Sequence, residues 1–431
     1  MSTAPTTTPL RWPVLLAWLA VALEGYDLVV LGAVLPTLSA DWTLSGNEGS
    51  TLSTFGLVGV AIGAVAVGTA SDRFGRRPTL LACVAWFSLL TLVCTVAPGF
   101  GWLCVLRFLA GLALGGCLPV ALALAAEYAR PGRSGASVTR LMTGYHVGAV
   151  ITALIAIPIV EDHGWRWMFL VGGCLGLVAL PLMWARLPES ASYLLLHGRP
   201  DEARELAATY GLVLPDPSAI DEKRPAASVS TLLQSRYLRS TLAFWVTSFM
   251  GLLLVYGLNT WLPTIMTAAD YPLGQSLALL LTLNVGAITG LIVAGAIADR
   301  RGTKPITVAW FGLAAAFLAL LSVKLPLIGV YAVVLAAGLF VFSAQVLVYA
   351  YVSQLYPPRI RATSIGFASG VGRIGAIVGP ILVGFLVTAN EEYPWGFYLF
   401  AVVAVLGAVA ISVVPAVRDT VEVEATAASS R

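Results

Sequence analysis

The sequence predicts an all-α membrane protein whose twelve transmembrane helices form two six-helix bundles. Three observations carry this: scarce charge, the number and length of the apolar runs, and an internal repeat. Of 431 residues 58% are hydrophobic and 11% charged, with a mean hydropathy of +0.87, whereas a soluble globular chain carries about 25% charged residues. Lipid must be the solvent for most of such a chain, which excludes an ordinary soluble enzyme. A disordered chain is excluded by the same apolar content. The excess of 25 Lys and Arg over 22 Asp and Glu is small, and no basic cluster sits on a polar fold, so a nucleic-acid partner is excluded as well.

A bilayer core needs about 20 apolar residues per helix. Punctuating the chain at charges, Gly and Pro gives runs near 12–38, 48–70, 79–97, 102–127, 136–159, 165–186, 240–267, 275–298, 305–324, 327–355, 362–388 and 395–415. The first run is too long for a signal-peptide core and lacks a small-residue cleavage site, so it is expected to stay as a span. An even number of spans puts both termini on one side. With the amino terminus inside, only Arg166 and Lys324 fall outside and Arg107 and Arg373 within spans, so 25 − 4 = 21 basic residues lie inside. The positive-inside rule then sets the orientation, a multi-pass protein of the inner (cytoplasmic) membrane with cytoplasmic termini.

The longest non-apolar stretch splits the chain into an N-terminal bundle (1–186), a linker (187–239) and a C-terminal bundle (240–431). Within the linker, Pro200 to Gly211 reads as a short amphipathic surface helix started by Pro and stopped by Gly. The halves repeat one another. Gly68-Thr-Ala-Ser-Asp-Arg-Phe-Gly-Arg-Arg77 recurs as Gly295-Ala-Ile-Ala-Asp-Arg-Arg-Gly-Thr-Lys304, an offset of 295 − 68 = 227, which also carries Leu35-Pro36-Thr37 onto Leu262-Pro263-Thr264 and Pro131 onto Pro358. The five cysteines, Cys83, Cys94, Cys104, Cys117 and Cys174, lie in apolar runs without pairing or metal-ligand spacing and are expected to be small core residues.

The Gly-x-x-x-Asp-Arg-x-Gly-Arg-Arg loop after span two, its weaker copy after span eight, and Arg107-x-x-x-Gly111-x-x-x-Gly115-Gly116 in span four resemble the major facilitator superfamily along essentially the whole chain. Leu187-Pro-Glu-Ser190 followed by His197-Gly-Arg-Pro-Asp-Glu-Ala203 is similar to the segment after span six in sugar porters and several organic-ion porters. Glu24-Gly-Tyr-Asp27 in span one resembles the Asp-Gly-x-Asp signature of the aromatic acid:proton symporter family, with Glu24 where that family usually has Asp, and Gly372-Arg373-Ile-Gly-Ala376 is similar to its span-eleven pattern. The resemblance implies the major facilitator fold with spans three, six, nine and twelve as outer supports. The interiors of those four spans contain no charge.

A charge inside a span costs about 2.5–3.5 kcal/mol on insertion scales, so each one calls for a partner, water or a function. Glu24 and Asp27 are spaced i, i+3, on one helix face, with Asp27 about 22 Å along span one at about 1.5 Å per residue. Two carboxylates so close in a poorly hydrated site are expected to share a proton, which suits proton coupling, or else to be held by neighbouring backbone or Arg for packing alone. Arg107 lies within reach of Asp27 if spans one and four are adjacent, either as a pair that breaks during transport or as a permanent ion pair. Arg373 rises about 18 Å from the inner end of span eleven, and no acidic residue occupies the interior of spans seven to twelve. Such a cation suits a substrate carboxylate, held by two parallel hydrogen bonds, or a gate to Asp27 or Glu24. The offset sends His146 to 146 + 227 = 373, so His146 is expected to face the same cavity and either exchange protons or hydrogen-bond within the bundle.

Tyr26, Tyr145, Tyr256, Asn259, Asn284, Phe342, Gln345 and Tyr349 lie at similar depths and are candidates to enclose a ring and bond its hydroxyl groups, or to pack. Asp72, Arg73, Arg76, Asp299 and Arg300, with Glu127 at the inner end of span four, look like the superfamily's gate contacts that stabilise the outward-open state. No Gly-x4-Gly-Lys-Ser/Thr loop, metal-ligand cluster, or nucleophile with its base occurs, so neither cofactor nor metal is expected. Together these features imply a monomeric secondary transporter that imports an aromatic carboxylate with protons by alternating access, in contact with membrane lipid. A sugar or polyol symporter, a drug/proton antiporter, and a membrane enzyme or sensor without transport are the alternatives.

Overall fold

A computed structural model of the chain describes residues 12–128, 134–212, 214 and 229–415. Among the described residues, twelve helices are long and apolar enough to cross a membrane. They are numbered here as spans one to twelve: Trp12–Trp42, Gly46–Phe74, Arg76–Cys94, Phe100–Glu127, Ser134–His163, Arg166–Arg186, Ser235–Ala268, Leu273–Arg301, Thr303–Leu320, Leu327–Leu355, Pro358–Thr388 and Glu392–Ser412. Span seven begins at Ser235, five residues before its predicted start, because the polar residues 235–241 continue the helix beyond the apolar run. The linker helix forms at Pro200–Tyr210, with Gly211 at φ 66° closing it in the left-handed conformation. A shorter helix, Ala191–Leu196, precedes it and is capped by the Ser190 side chain.

Spans one, four and seven are the most enclosed of the twelve, and span six is the least. Spans three and six pair with each other at one edge, and spans nine and twelve at the other. The two halves meet through spans one and seven, two and eleven, and five and eight. Val178 and Ile328 point outward, as side chains do whose solvent is lipid. Cys83, Cys94, Cys104 and Cys117 are buried as expected, but Cys174 is exposed, because span six turns that face away from its neighbours.

Neighbouring spans approach backbone to backbone at glycines, which is how helices pack where no water drives them together. A Cβ at Gly59, Gly63 or Gly111 would meet the carbonyl oxygen of Phe108, Leu112 or Gly56, joining spans two and four. The same offset of 227 reproduces this seam between spans eight and ten at Gly286, Gly290 and Gly338, against Leu335, Leu339 and Leu283. Likewise Gly148 against Ala22 in spans five and one becomes Gly375 against Phe249 in spans eleven and seven. The repeat in the sequence is therefore a repeat of contacts.

Gly111→Val should destabilise the protein by about 1–3 kcal/mol or more through overpacking. Gly295→Val, where a Cβ meets nothing within 4 Å, should leave the melting temperature unchanged. Thermal unfolding of the two purified variants checks the contrast.

Candidate functional site

Gly25 and Gly148 let spans one and five touch, and this sets how span one turns its two carboxylates. Asp27 faces spans three and four. Arg107 Nη1 donates to Asp27 Oδ1 at 2.5 Å, Arg107 Nη2 donates to the Asp27 carbonyl at 2.8 Å, and Thr91 Oγ1 donates to Asp27 Oδ2. The Arg107 guanidinium lies 5.9 Å from the centre of the Phe169 ring. Both partners are 3% exposed. Burying this pair carries a desolvation cost of several kcal/mol per ion, offset by the short charge-assisted bonds and by the neutral hydroxyl on the second carboxylate oxygen.

Glu24, one helical turn earlier, has none of this. It is 3% exposed, Oε2 has no hydrogen-bond partner, the Cys117 thiol lies within bonding reach of the carboxyl, and the charge it faces across the seam is Arg373. The two carboxylates are not hydrogen-bonded to one another among the described residues. Asp27 has both oxygens engaged by Arg107 and Thr91, and Glu24 is the uncompensated acid.

In the other half, half-buried Arg373 lies within hydrogen-bonding reach of the Tyr256 hydroxyl, and Tyr256 lies near Tyr349. No described carboxylate stands within ion-pair distance of Arg373, so the expected alternative of a gate to Asp27 or Glu24 is not formed. His146 does face the opposite half, but its Nδ1 donates to Asn284 Oδ1 at 3.1 Å, and Asn284 Nδ2 donates to Asn259 Oδ1 at 3.1 Å. The Phe342 ring meets the His146 ring edge-on, with centroids 4.8 Å apart. His146, Asn284, Asn259 and Phe342 thus form one buried cluster that joins span five to spans seven, eight and ten.

Two candidate ring-lining residues and one candidate carboxylate are used elsewhere. The Tyr26 hydroxyl donates to the Met168 carbonyl at 2.9 Å and its ring fills the space over Gly172, so it packs spans one and six together. Gln345 Nε2 donates to Ser248 Oγ on span seven at 3.1 Å, while its Oε1, beside Gly251, has no partner among the described residues. Asp27 is sealed behind Arg107 and Thr91, away from Arg373.

The face carrying the linker and the face opposite differ. On the opposite face the halves are latched: Ser50 Oγ donates to the Pro380 carbonyl at 2.9 Å, the Asn47 amide donates to Thr388 Oγ1 at 2.9 Å, and the Gly274 amide donates to Glu161 Oε1 at 3.1 Å; Trp261 Nε1, from the same half as Pro380, donates to that carbonyl too, at 2.9 Å. On the linker face Asp72, Arg73, Asp299 and Arg300 are exposed and, among the described residues, make no ion pair across the halves. Arg76 and Glu127 do pair, within one half, and Ser190 Oγ donates to Glu127 Oε2 at 2.7 Å. Among the described residues, hydrogen bonds join the halves on the far face and no ion pair joins them on the linker face.

The sequence profile described as Major Facilitator Superfamily matches residues 17–372 and 330–429. The chain belongs to the major facilitator superfamily. As a member it is a transporter and not an enzyme. The Benzoate transport protein of Acinetobacter baylyi is 34% identical over 94% of this chain and 89% of its own length. The Gentisate transporter of Corynebacterium glutamicum is 35% identical over 95% and 88%. A crystal structure of a D-xylose-proton symporter, 19% identical, superposes with a TM-score of 0.74 over 94% of this chain and 98% of the other, a likeness of fold.

Within this superfamily fold the sequence reading passed over four contributors. Thr91 is, with Ser88, one of two hydroxyls in the apolar middle of span three, which was the available signal for a buried polar partner. Cys117 was read only as a small core residue. Glu189 and Ser190 entered as part of a motif, yet Glu189 Oε1 accepts from the backbone amides of Arg76, Arg77 and Ser190 at 2.9, 3.0 and 2.7 Å, tying the linker to the start of span three. Gly75, at φ 100°, leaves the room that carboxylate needs.

Asp27→Asn should cost about 3–5 kcal/mol by leaving Arg107 buried without its counter-charge. Asp27→Asn combined with Arg107→Met should recover most of that loss. Chemical or thermal unfolding of the single and double variants measures both.

Proposed function

We propose that this superfamily member imports aromatic carboxylates of the benzoate and hydroxybenzoate class together with protons, by alternating access about the Glu24–Tyr256–Arg373 region. The observation that carries the reading is Arg373: a half-buried guanidinium at mid-span, beside Tyr256, with no described carboxylate in ion-pair range. A guanidinium so placed favours an anionic ligand of matching fork geometry, and the neighbouring rings of Tyr256 and Tyr349 favour an aromatic one. The names of the benzoate and gentisate relatives support the same substrate class.

Glu24 supplies the proton site in this reading. It is a buried carboxyl without a bonded cation, and, facing Arg373, it feels whether that cation is already paired with substrate. Asp27 and Arg107 hold span one in place for this exchange, and the His146–Asn284–Asn259 cluster and the far-face latch are contacts the halves exchange as they rock. The excess of basic residues on the linker face supports a cytoplasmic location for that face and for both termini, in the cytoplasmic membrane. We assign function to a single chain, since each site residue comes from it.

Uptake into proteoliposomes under an imposed inward proton gradient tests the reading with benzoate, 4-hydroxybenzoate, protocatechuate and gentisate, and glucose as control. Accumulation of an aromatic acid that an uncoupler abolishes is the expected result, whereas glucose accumulation with none of the acids moving overturns it. Glu24→Gln should abolish gradient-driven accumulation while substrate exchange persists. Accumulation by Glu24→Gln equal to that of the wild type would remove Glu24 as the proton site.

A further inference from the structure

Three polar groups at the seam between the halves have something to offer that the described residues do not fully take up. Glu24 Oε2 and the Tyr145 hydroxyl are enclosed and bond to nothing, and Arg373 has no described carboxylate in ion-pair range. Tyr145 stands on span five beside Glu24, because the backbones of spans one and five meet at Gly25, where a Cβ would strike the Tyr145 carbonyl. Its ring packs edge-on against His146 with centroids 5.1 Å apart, and His146 is itself held by Asn284 and Phe342, so the direction of the phenol is set by the bundle. The hydroxyl faces Tyr256, Glu24 and Arg373, and Tyr256 is within hydrogen-bonding reach of Arg373.

An enclosed hydroxyl without an acceptor costs about 1–3 kcal/mol. Here the missing acceptor must also suit a guanidinium across the seam, and a carboxylate does: Arg373 binds its two oxygens, and each oxygen keeps a lone pair for a further donor. We propose that Tyr145 is a substrate-binding residue whose hydroxyl donates to the carboxylate held by Arg373. The assignment rests on the aromatic-carboxylate reading above and deepens it. One carboxylate then joins span five of the N-terminal half to spans seven and eleven of the other, so that binding itself draws the halves together. The same hydroxyl faces Glu24, so an ionised Glu24 competes for its hydrogen while a protonated Glu24 leaves it to the substrate.

The test is equilibrium binding of benzoate and benzamide to the full chain in lipid nanodiscs. Tyr145→Phe, which removes one oxygen and keeps the ring, should weaken benzoate about ten- to hundredfold, the worth of a hydrogen bond to an ionised acceptor. Benzamide, a neutral acceptor, should lose severalfold less. Equal losses for the two ligands mark a packing role and overturn the assignment. Tyr145→His keeps a ring with an N–H to donate and should retain more benzoate affinity than Tyr145→Phe, and the reverse order overturns the assignment too. Benzoate binding unchanged in Tyr145→Phe sinks this inference alone, whereas a wild-type chain that binds none of the aromatic acids sinks the aromatic-carboxylate reading with it.

Discussion

Asp27 and Arg107 carry opposite full charges through a layer of apolar side chains, and neither can be left alone there. Their attraction in so poor a dielectric is strong, but so is the cost of stripping water from each, and the balance is favourable only with near-ideal geometry. That geometry is present: Arg107 spans the Asp27 side chain and its own main-chain carbonyl, and Thr91 takes the remaining oxygen. Binding to the carbonyl as well as the carboxylate locks the rotation and height of span one against span four. Glu24, one turn away, is thereby pointed past Cys117 toward Arg373 and cannot turn back to share the same cation. The rest of the site inherits its orientation from this lock.

The scaffold is nearly twofold while the chemistry is not. The offset of 227 carries the glycine seams of one half onto the other, contact for contact. The same offset sends Glu24 to Gly251, Asp27 to Leu254, Arg107 to Val334 and His146 to Arg373. Acids and their lock therefore belong to one half and the unpaired guanidinium to the other. With the charges divided in this way, a change in the charge of either group alters the attraction between the halves.

The contacts across the seam are suited to being exchanged. On the far face they are single hydrogen bonds, from Ser50 to the Pro380 carbonyl, from the Asn47 amide to Thr388 and from the Gly274 amide to Glu161, and a neutral one contributes about 0.5–1.5 kcal/mol net. At mid-depth the His146–Asn284–Asn259 chain has the same character. On the linker face Asp72, Arg73, Asp299 and Arg300 are exposed and, among the described residues, form no ion pair across the halves. The strong bonds, Asp27 with Arg107 and Arg76 with Glu127, lie within one half, where they keep a rigid body rigid.

Twelve spans, the repeat, the linker helix and the resemblance to the superfamily were all legible in the sequence, because each depends on composition or spacing along a chain that lipid forces into helices. The rare charges within spans were legible for the same reason: their cost makes them conspicuous. Which neighbour each would choose was not. Helical spacing put Glu24 and Asp27 on one face, but the helix rotation that assigns Asp27 to Arg107 and Thr91 and leaves Glu24 to Arg373 follows from the glycine contacts of spans one, four and five. Likewise Tyr26 and Gln345 had the depth and chemistry of ring-lining residues, and only packing turned the one to Met168 and the other to Ser248. The sequence by itself determined the number, order and polarity of the helices and which residues had to find partners, because lipid penalises every unmet polar group. The tertiary structure alone decided the pairings, because a hydrogen bond depends on a few tenths of an ångström between elements far apart in the chain.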